Sequence, residues 1–444
     1  MIRRALEDDR ILLICILSLF VCRAAIASAV VPPWQGPDEP THLTLAKVLA
    51  SADRPEWESR PDVERQVLRS MAQHRWWEPY GGRSPDPLPT LFDSVRRLGS
   101  GTYAQPLYYG LGAAVLKIAP STNVESSYWR LRIFSMAIAL ATLALAWAGS
   151  RLLFGPAVAL GATAVAALNP QFLLTAISVN PDTLLALFGA VLWWLVARVL
   201  NGRGLAMSIL LIPVTAGAAL LTKRSAIPLA VVGAVITVGL LVRPAARQMS
   251  LRSVTWMGIV VVASAAILST AWATFASPFG QLAGLWANGL NIRRPLDEKL
   301  FSTGIEYATL SIDYVWLVAG WIRFSAPEQW LWFARTLTVA GFAGAVVLTI
   351  RSPRLRRPLA TAWLFVIVQV TIAIGWGFLT LSSPQGRYLF PVIAPATALL
   401  WLGLTHATPA RFRPYAAPVL VAILAVMDVT GFTNVLIPAY LPWG

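Results

Sequence analysis

Charge is scarce in this 444-residue chain: Asp, Glu, Lys and Arg make up 13% of it, against 57% hydrophobic residues. A soluble domain cannot hide so much apolar surface, and apolar runs of about 20 residues, each able to cross a bilayer, recur along most of the chain. Cysteine is nearly absent. Cys15 and Cys22 both lie in the first apolar run, where seven residues of helix separate them by roughly 10.5 Å, too far for a disulfide. The three histidines, His42, His74 and His406, have no metal-ligand spacing. No glycine-rich phosphate loop, nucleophile elbow or zinc signature is present, so nucleotide binding lacks support. There is no sequence repeat, low-complexity tract or soluble domain.

What charge there is leans one way: Lys and Arg number 36 against 21 Asp and Glu, a net +15. In a membrane protein such an excess orients loops and meets anionic lipid, so membrane lipids are expected partners and nucleic acid is not. The apolar runs are 11–31, 132–150, 156–176, 183–200, 205–222, 226–242, 254–275, 331–350, 359–381, 388–405 and 415–437. "MIRRALEDDR" before the first run imitates a signal peptide, but the run is long and "VVPPW" cleaves poorly, so it reads as an uncleaved span. The stretch "QPLYYGLGAAVLKIAP", 105–120, is short and carries Lys117. If it lies at the membrane surface, every compact basic connector falls on the face of the basic N-terminus: Arg151, Arg198 and Arg203, Arg351 to Arg357, Arg411 and Arg413. The expectation is an all-α polytopic membrane protein. It is a single integral-membrane domain, 1–444, of about 11 transmembrane helices, with the N-terminus inside and the C-terminus outside. Two long loops, 32–131 and 276–330, then face outward, and juxtamembrane helices lie in the first.

That topology, fixed from the inner loops alone, gathers chemistry on the outer face. Asp38, Glu39 and His42 follow the first span in "PPWQGPDEPTHLTLAKVLA". Asp182 lies in "NPD", Lys223 and Arg224 in "LTKRSA", Arg387 and Tyr388 in "SPQGRYLFP", and Arg130 and Arg132 in "YWRLRIF". Basic groups at the lipid–water boundary suit a phosphate. A carboxylate beside them suits a general base for an acceptor hydroxyl, and a second orients the first or holds a divalent cation. Blander readings stand beside each. Asp38 and Asp182 both sit where helix caps belong. Glu39 is either the second acid of a pair or a first-turn charge, and His42 is either a substrate contact or a helix-face residue. Lys223 and Arg224 break the inner-face rule for basic residues. Trp76, Trp77 and Tyr80 read as interface anchors, with sugar stacking the alternative. Arg23 in the first span and Asp428 in the last are intramembrane charges.

These motifs resemble the GT-C superfamily of polyprenyl-phosphate-sugar-dependent membrane glycosyltransferases, especially a bacterial branch catalogued as a membrane domain of unknown function. "PPWQGPDEPTHL", "AQPLYYGL", the stretch 128–194, "LLTKRSAIPL" and "QGRYLFPVIAP" carry the resemblance in order. It covers the N-terminal half, a GT-C-like module over 1–240, and returns at 385–395; over 240–380 only the layout matches. The resemblance implies that Asp38, with Glu39 beside it, is the catalytic acid–base pair and that Asp182 assists it. It implies that Arg130, Lys223 and Arg387 hold the lipid phosphate; Arg224, Tyr388 and His42 are expected from their places in the chain as further substrate contacts. It leaves a divalent metal, Mg or Mn, open, with Asp38 and Asp182 as candidate ligands. The expected activity is hexosyl or pentosyl transfer from a polyprenyl-phosphate-linked sugar to a glycan, lipid or protein acceptor, at the outer face of the bacterial cytoplasmic membrane. A polymerase or ligase of lipid-linked glycans, or a polyprenyl-lipid transporter, is the alternative.

Overall fold

The computed structural model describes residues 9–50, 60–95, 98, 105–118, 120, 123–242, 300–380 and 382–441. Its helices are α1 (Asp9–Val30), α2 (Glu39–Ala50), α3 (Arg60–Gln73), α4 (Pro106–Ile118), α5 (Val124–Phe154), α6 (Pro156–Ala167), α7 (Pro170–Ala176) and α8 (Asp182–Leu200). They continue as α9 (Leu205–Leu220), α10 (Ile227–Leu241), α11 (Leu300–Trp316), α12 (Glu328–Arg351), α13 (Arg356–Leu379), α14 (Ile393–Ala407), α15 (Arg413–Gly431) and α16 (Ile437–Tyr440). A two-residue antiparallel hairpin, β1 (Val318–Ala319) with β2 (Phe324–Ser325), interrupts the helices. The chain is thus a mostly helical, multi-pass membrane protein. Among the described residues eight helices are long and apolar enough to cross a membrane, or nine if the bent pair α6 and α7 counts as one. α9 is apolar but shorter. The expected span 254–275, and the expected outer loop from 276 to 299, lie outside the described residues.

Local sequence explains the breaks. α6 and α7 meet at 69°. Pro170 disfavours helical backbone at Asn169, and the Asn169 side chain caps the new helix by accepting from the Phe172 N–H at 2.7 Å. α4 is 13 residues long, shorter than the spans, and buries one face through Tyr108, Tyr109, Ala113 and Leu116. Spans bury one stripe and leave the rest to lipid: in α1, Phe20, Ala24 and Ala27 are fully buried while Ile14, Leu19 and Ile26 are exposed.

Close backbone approach sets two of the packings. A side chain at Gly189 of α8 would overlap the Pro391 carbonyl oxygen, so only glycine lets the 3-10 turn Gly386–Val392 rest on α8. Gly403 of α14 likewise meets the Gly341 carbonyl of α12. The two ends of the bundle differ. At one, Arg151 pairs with Asp9, Asn201 donates to the Leu152 carbonyl at 2.9 Å, and Arg354 and Arg357 line a cavity with Asn201. α1 ends, α8 begins, α9 ends and α14 begins at the other.

Within the bundle Arg23 of α1 pairs with Asp428 of α15, Nε donating to Oδ2 at 2.7 Å, and Nη1 donates to the Ala167 carbonyl at the end of α6. The two intramembrane charges of the sequence therefore neutralise each other. Trp76 is buried in the core, neither anchor nor platform. Its Nε1 donates to the Trp34 carbonyl at 2.9 Å, and its ring packs on Trp77, Tyr80 and Trp321.

Candidate functional site

At the end opposite Arg354, four side chains from four connections meet. The Arg387 Nη2 donates to Asp38 Oδ2 at 3.0 Å, and its Nε lies 3.3 Å from Asp182 Oδ2. Lys223 Nζ donates to Asp182 Oδ1 at 2.6 Å. Two carboxylates and two cations alternate and cancel, which is what lets Asp182 and Arg387 be buried. Tyr388 closes one side, its ring 4.8 Å from Lys223 Nζ and 5.8 Å from the Arg387 guanidinium carbon. Gln385 Oε1 accepts from Arg387 Nε at 2.6 Å and fixes the guanidinium plane.

Asp182 is not the cap of α8. Asn180 Oδ1 accepts from the Asp182 and Thr183 N–H groups, so the Asp182 carboxylate is left for Lys223 and Arg387. Asp38 is not a side-chain cap either. Its carbonyl accepts from the His42 N–H, while its carboxylate turns to Arg387. Asp38 sits at φ 66°, left-handed backbone that Asp tolerates better than most residues and that carries strain of about 1 kcal/mol. Its side chain is 48% exposed, and Oδ1 has no hydrogen-bond partner among the described residues. Burial alone would raise the Asp38 carboxyl, but the Arg387 guanidinium, with Lys223, outweighs it and holds the carboxyl below its usual range.

His42 lies one turn along α2 and shares a 2.8 Å hydrogen bond between Nδ1 and the Tyr109 hydroxyl of α4. Burial pushes its imidazole down to about 4, with Lys223 and Arg387 adding to the effect against the pull of Asp38 and Asp182, so it is neutral near pH 7. Burial also raises the Tyr109 hydroxyl well above its usual range. Tyr109 was not singled out from the sequence, although "LYY" placed it on the juxtamembrane helix.

Other expected members stand elsewhere. Glu39 is fully buried. Its Oε2 accepts from the Gly36 N–H and its Oε1 from the Val179 N–H, both at 2.9 Å, the Tyr128 hydroxyl donates to it at 3.2 Å, and Arg132 Nε is 3.6 Å away. Held by three hydrogen bonds from protein with Arg132 beside it, Glu39 is a bracket between the Asp38 loop, α5 and the chain entering α8. This differs from the expected second catalytic acid. Arg130 faces Lys47 of α2, whose ammonium burial and Arg130 together hold below its usual range. Arg224 opens the 3-10 turn Arg224–Ala226, one residue beyond the cluster.

The donor set does not fit a divalent metal. Asp38 and Asp182 are each already matched by a cation, His42 spends Nδ1 on Tyr109, and no group of three His, Cys, Asp or Glu converges among the described residues. An apolar cavity of ≈ 590 Å³ lies between α12, α13 and α14. Leu389 and Phe390, the two residues after Tyr388, form part of its wall, with Trp363, Val370 and Ala396 further in.

Residues 112–272 match the family described as dolichyl-phosphate-mannose-protein mannosyltransferase, a span that includes Asp182 and Lys223 but not Asp38 or Arg387. No curated protein matches the chain in sequence. Among solved structures the chain is similar to ArnT from Cupriavidus metallidurans bound to undecaprenyl phosphate. That likeness has 16% identity and a TM-score of 0.54, covering 92% of this chain and 63% of that one. It is also similar, at a TM-score of 0.49 and 14% identity, to the apo oligosaccharyltransferase of Archaeoglobus fulgidus, covering 94% of this chain and 56% of that one. The chain therefore spans less than two thirds of the length of either of these two structures. The resemblance to GT-C membrane glycosyltransferases read from the motifs holds in the family match and in the fold.

Proposed function

We propose that this protein is an inverting glycosyltransferase that moves a sugar from a polyprenyl-phosphate donor to a hydroxyl of a cell-envelope acceptor, at the outer face of the bacterial cytoplasmic membrane. The observation that carries the reading is the Asp38–Arg387–Asp182–Lys223 cluster, in which a half-exposed carboxylate with a free oxygen stands against two cations. The apolar cavity that begins at Leu389 and Phe390 suits the prenyl chain of such a donor.

The acceptor hydroxyl gives its proton to Asp38 Oδ1 as its oxygen bonds to the anomeric carbon. The bond from that carbon to the phosphate oxygen breaks on the opposite face, so the configuration inverts. Polyprenyl phosphate leaves with the electron pair, and Lys223 and Arg387 take up the charge that develops on it. Without donor the same cations hold the carboxylates. A bound phosphate competes for them, and as Arg387 turns toward it the Asp38 carboxyl rises toward its usual range and becomes a stronger base. The neutral His42 adds no competing charge. Glu39 positions Asp38 through the backbone and touches no substrate. No step uses a metal.

Purified protein is assayed for hydrolysis or transfer from a panel of radiolabelled polyprenyl-phosphate sugars, wild type beside Asp38→Asn. Release or transfer by wild type alone is expected and identifies the donor. Equal rates in the two proteins would remove Asp38 as the base, and a panel in which no donor binds would remove the function.

A further inference from the structure

The reaction above makes no use of Arg132. This α5 residue is 3% exposed; its Nε faces the Glu39 carboxylate at 3.6 Å, beyond hydrogen-bond reach, and neither Nε nor Nη2 has a hydrogen-bond partner among the described residues. Nη1 donates weakly to the Val31 carbonyl at 3.4 Å. Gln35 is 1% exposed and in the same condition: its Oε1 accepts from the Tyr80 hydroxyl at 2.7 Å, and its Nε2 has no partner. Both residues line one cavity of ≈ 40 Å³, walled also by Ser178, Asn180, Arg387 and Tyr440. It lies behind the residues Gly36 and Pro37 that lead to Asp38, and Asp38 itself does not line it.

Polarity decides what this cavity takes. The three buried side-chain atoms without a partner on its wall are all N–H donors. Three of the side-chain acceptors there are engaged already. Ser178 Oγ accepts from Asn180 Nδ2, Asn180 Oδ1 caps α8, and Gln171 Oε1 accepts from the Val318 N–H. Buried donors left unpaired are costly and call for a partner. Water has the size to enter, since one molecule needs roughly 10–15 Å³, but each water brings two donors of its own to a wall whose side chains offer donors. A group with acceptors only fits better, even though Glu39 already faces Arg132 Nε at 3.6 Å and Asp38 and Asp182 already face Arg387.

We infer that this cavity is a subsite for a small oxyanion, a phosphate or carboxylate group held by Arg132 Nη2 and by Gln35 Nε2. The site is separate from the Lys223 and Arg387 faces assigned above to the lipid phosphate. Two sources carry the chemistry: the phosphate of a polyprenyl carrier seated deeper than proposed, or a second anion such as free phosphate or an acidic group on the other substrate.

The test is thermal unfolding of the full chain in detergent, titrated with inorganic phosphate against chloride at equal ionic strength, with and without saturating undecaprenyl phosphate. Wild type is expected to gain stability saturably with phosphate and not with chloride. Gln35→Glu keeps the acceptor for Tyr80 and replaces the Nε2 donor with a carboxylate oxygen beside Arg132. It is expected to unfold at a higher temperature than wild type without phosphate and to lose the phosphate response. Gln35→Leu, which removes the donor together with the acceptor for Tyr80, is expected to weaken phosphate by about tenfold or more. A phosphate response that survives saturating lipid assigns the site to a second anion, and one that the lipid abolishes assigns it to the carrier. No response in wild type, or equal responses in wild type and both Gln35 variants, overturns the inference. Sugar transfer is not read, so a failed donor assay and a failed oxyanion site are told apart.

Discussion

Arg387 donates from Nη2 to Asp38 Oδ2 at 3.0 Å, across 349 residues of chain. The contact leaves Asp38 Oδ1 open and lets the carboxylate be replaced without dismantling the cluster. Asn at position 38 still offers an oxygen to Arg387 and still tolerates left-handed backbone. Asp38→Asn is therefore expected to keep the wild-type unfolding temperature while turnover falls by about 10²–10⁴. A variant that loses turnover only because it unfolds would withdraw the point.

Glu39 predicts the reverse. Glu39→Gln leaves the buried Arg132 charge unpaired and sets an amide against backbone donors, which costs about 3–5 kcal/mol. The unfolding temperature should drop well below that of Asp38→Asn. An unchanged unfolding temperature with lost turnover would put Glu39 in the chemistry.

His42 sets a pH window. Its folded-state pKa, about 4, lies below the 6.5 of a free imidazole, so between those values the unfolded chain binds the extra proton. Stability is complete above pH 6.5 and declines as the pH falls toward 4. Unfolding temperatures across that range should slope for wild type and flatten for His42→Gln; parallel curves would show that His42 is protonated in the folded state as readily as out of it.

The cavity wall offers a chain-length test. Ala396→Phe fills space between α13 and α14 away from the charges. Binding of a long polyprenyl phosphate should weaken about tenfold, and binding of farnesyl phosphate should stay as it was. Equal losses for both would place the prenyl chain elsewhere.

Arg23 and Asp428 form the fifth case. Either one changed to Leu strands a charge among the spans and should cost about 3–5 kcal/mol, while the double Leu variant should recover most of it. Additive losses in the double variant would mean that the two side chains act separately.

Asp38, Asp182, Lys223 and Arg387 were legible in the sequence because a topology drawn from basic loops sends all four to one end of the bundle. The break between α6 and α7 was not read from the sequence: "NP" at 169–170 marks it, but the continuous apolar run 156–176 hid it. The Glu39 bracket was not legible. It is built from Gly36, Tyr128, Arg132 and Val179, and the contact between the Asp38 loop and α5 follows no sequence spacing. Adjacent Asp and Glu read alike in a sequence; in the fold one faces the opening and the other the core. Arg130 and Arg132, two residues apart, diverge because helical residues at that spacing point to different faces, one toward Lys47 and one toward Glu39.

The Arg23–Asp428 pair also has a history in time. The two residues are separated by 405 positions, so at ordinary rates of synthesis the arginine leaves the ribosome on the order of 20–80 s before its acid exists. Through that interval the first span carries a lone cation in or near the lipid, which disfavours its settling there. Insertion of α15 is what ends that exposure, and a nascent chain that stalls short of residue 428 keeps an unneutralised charge.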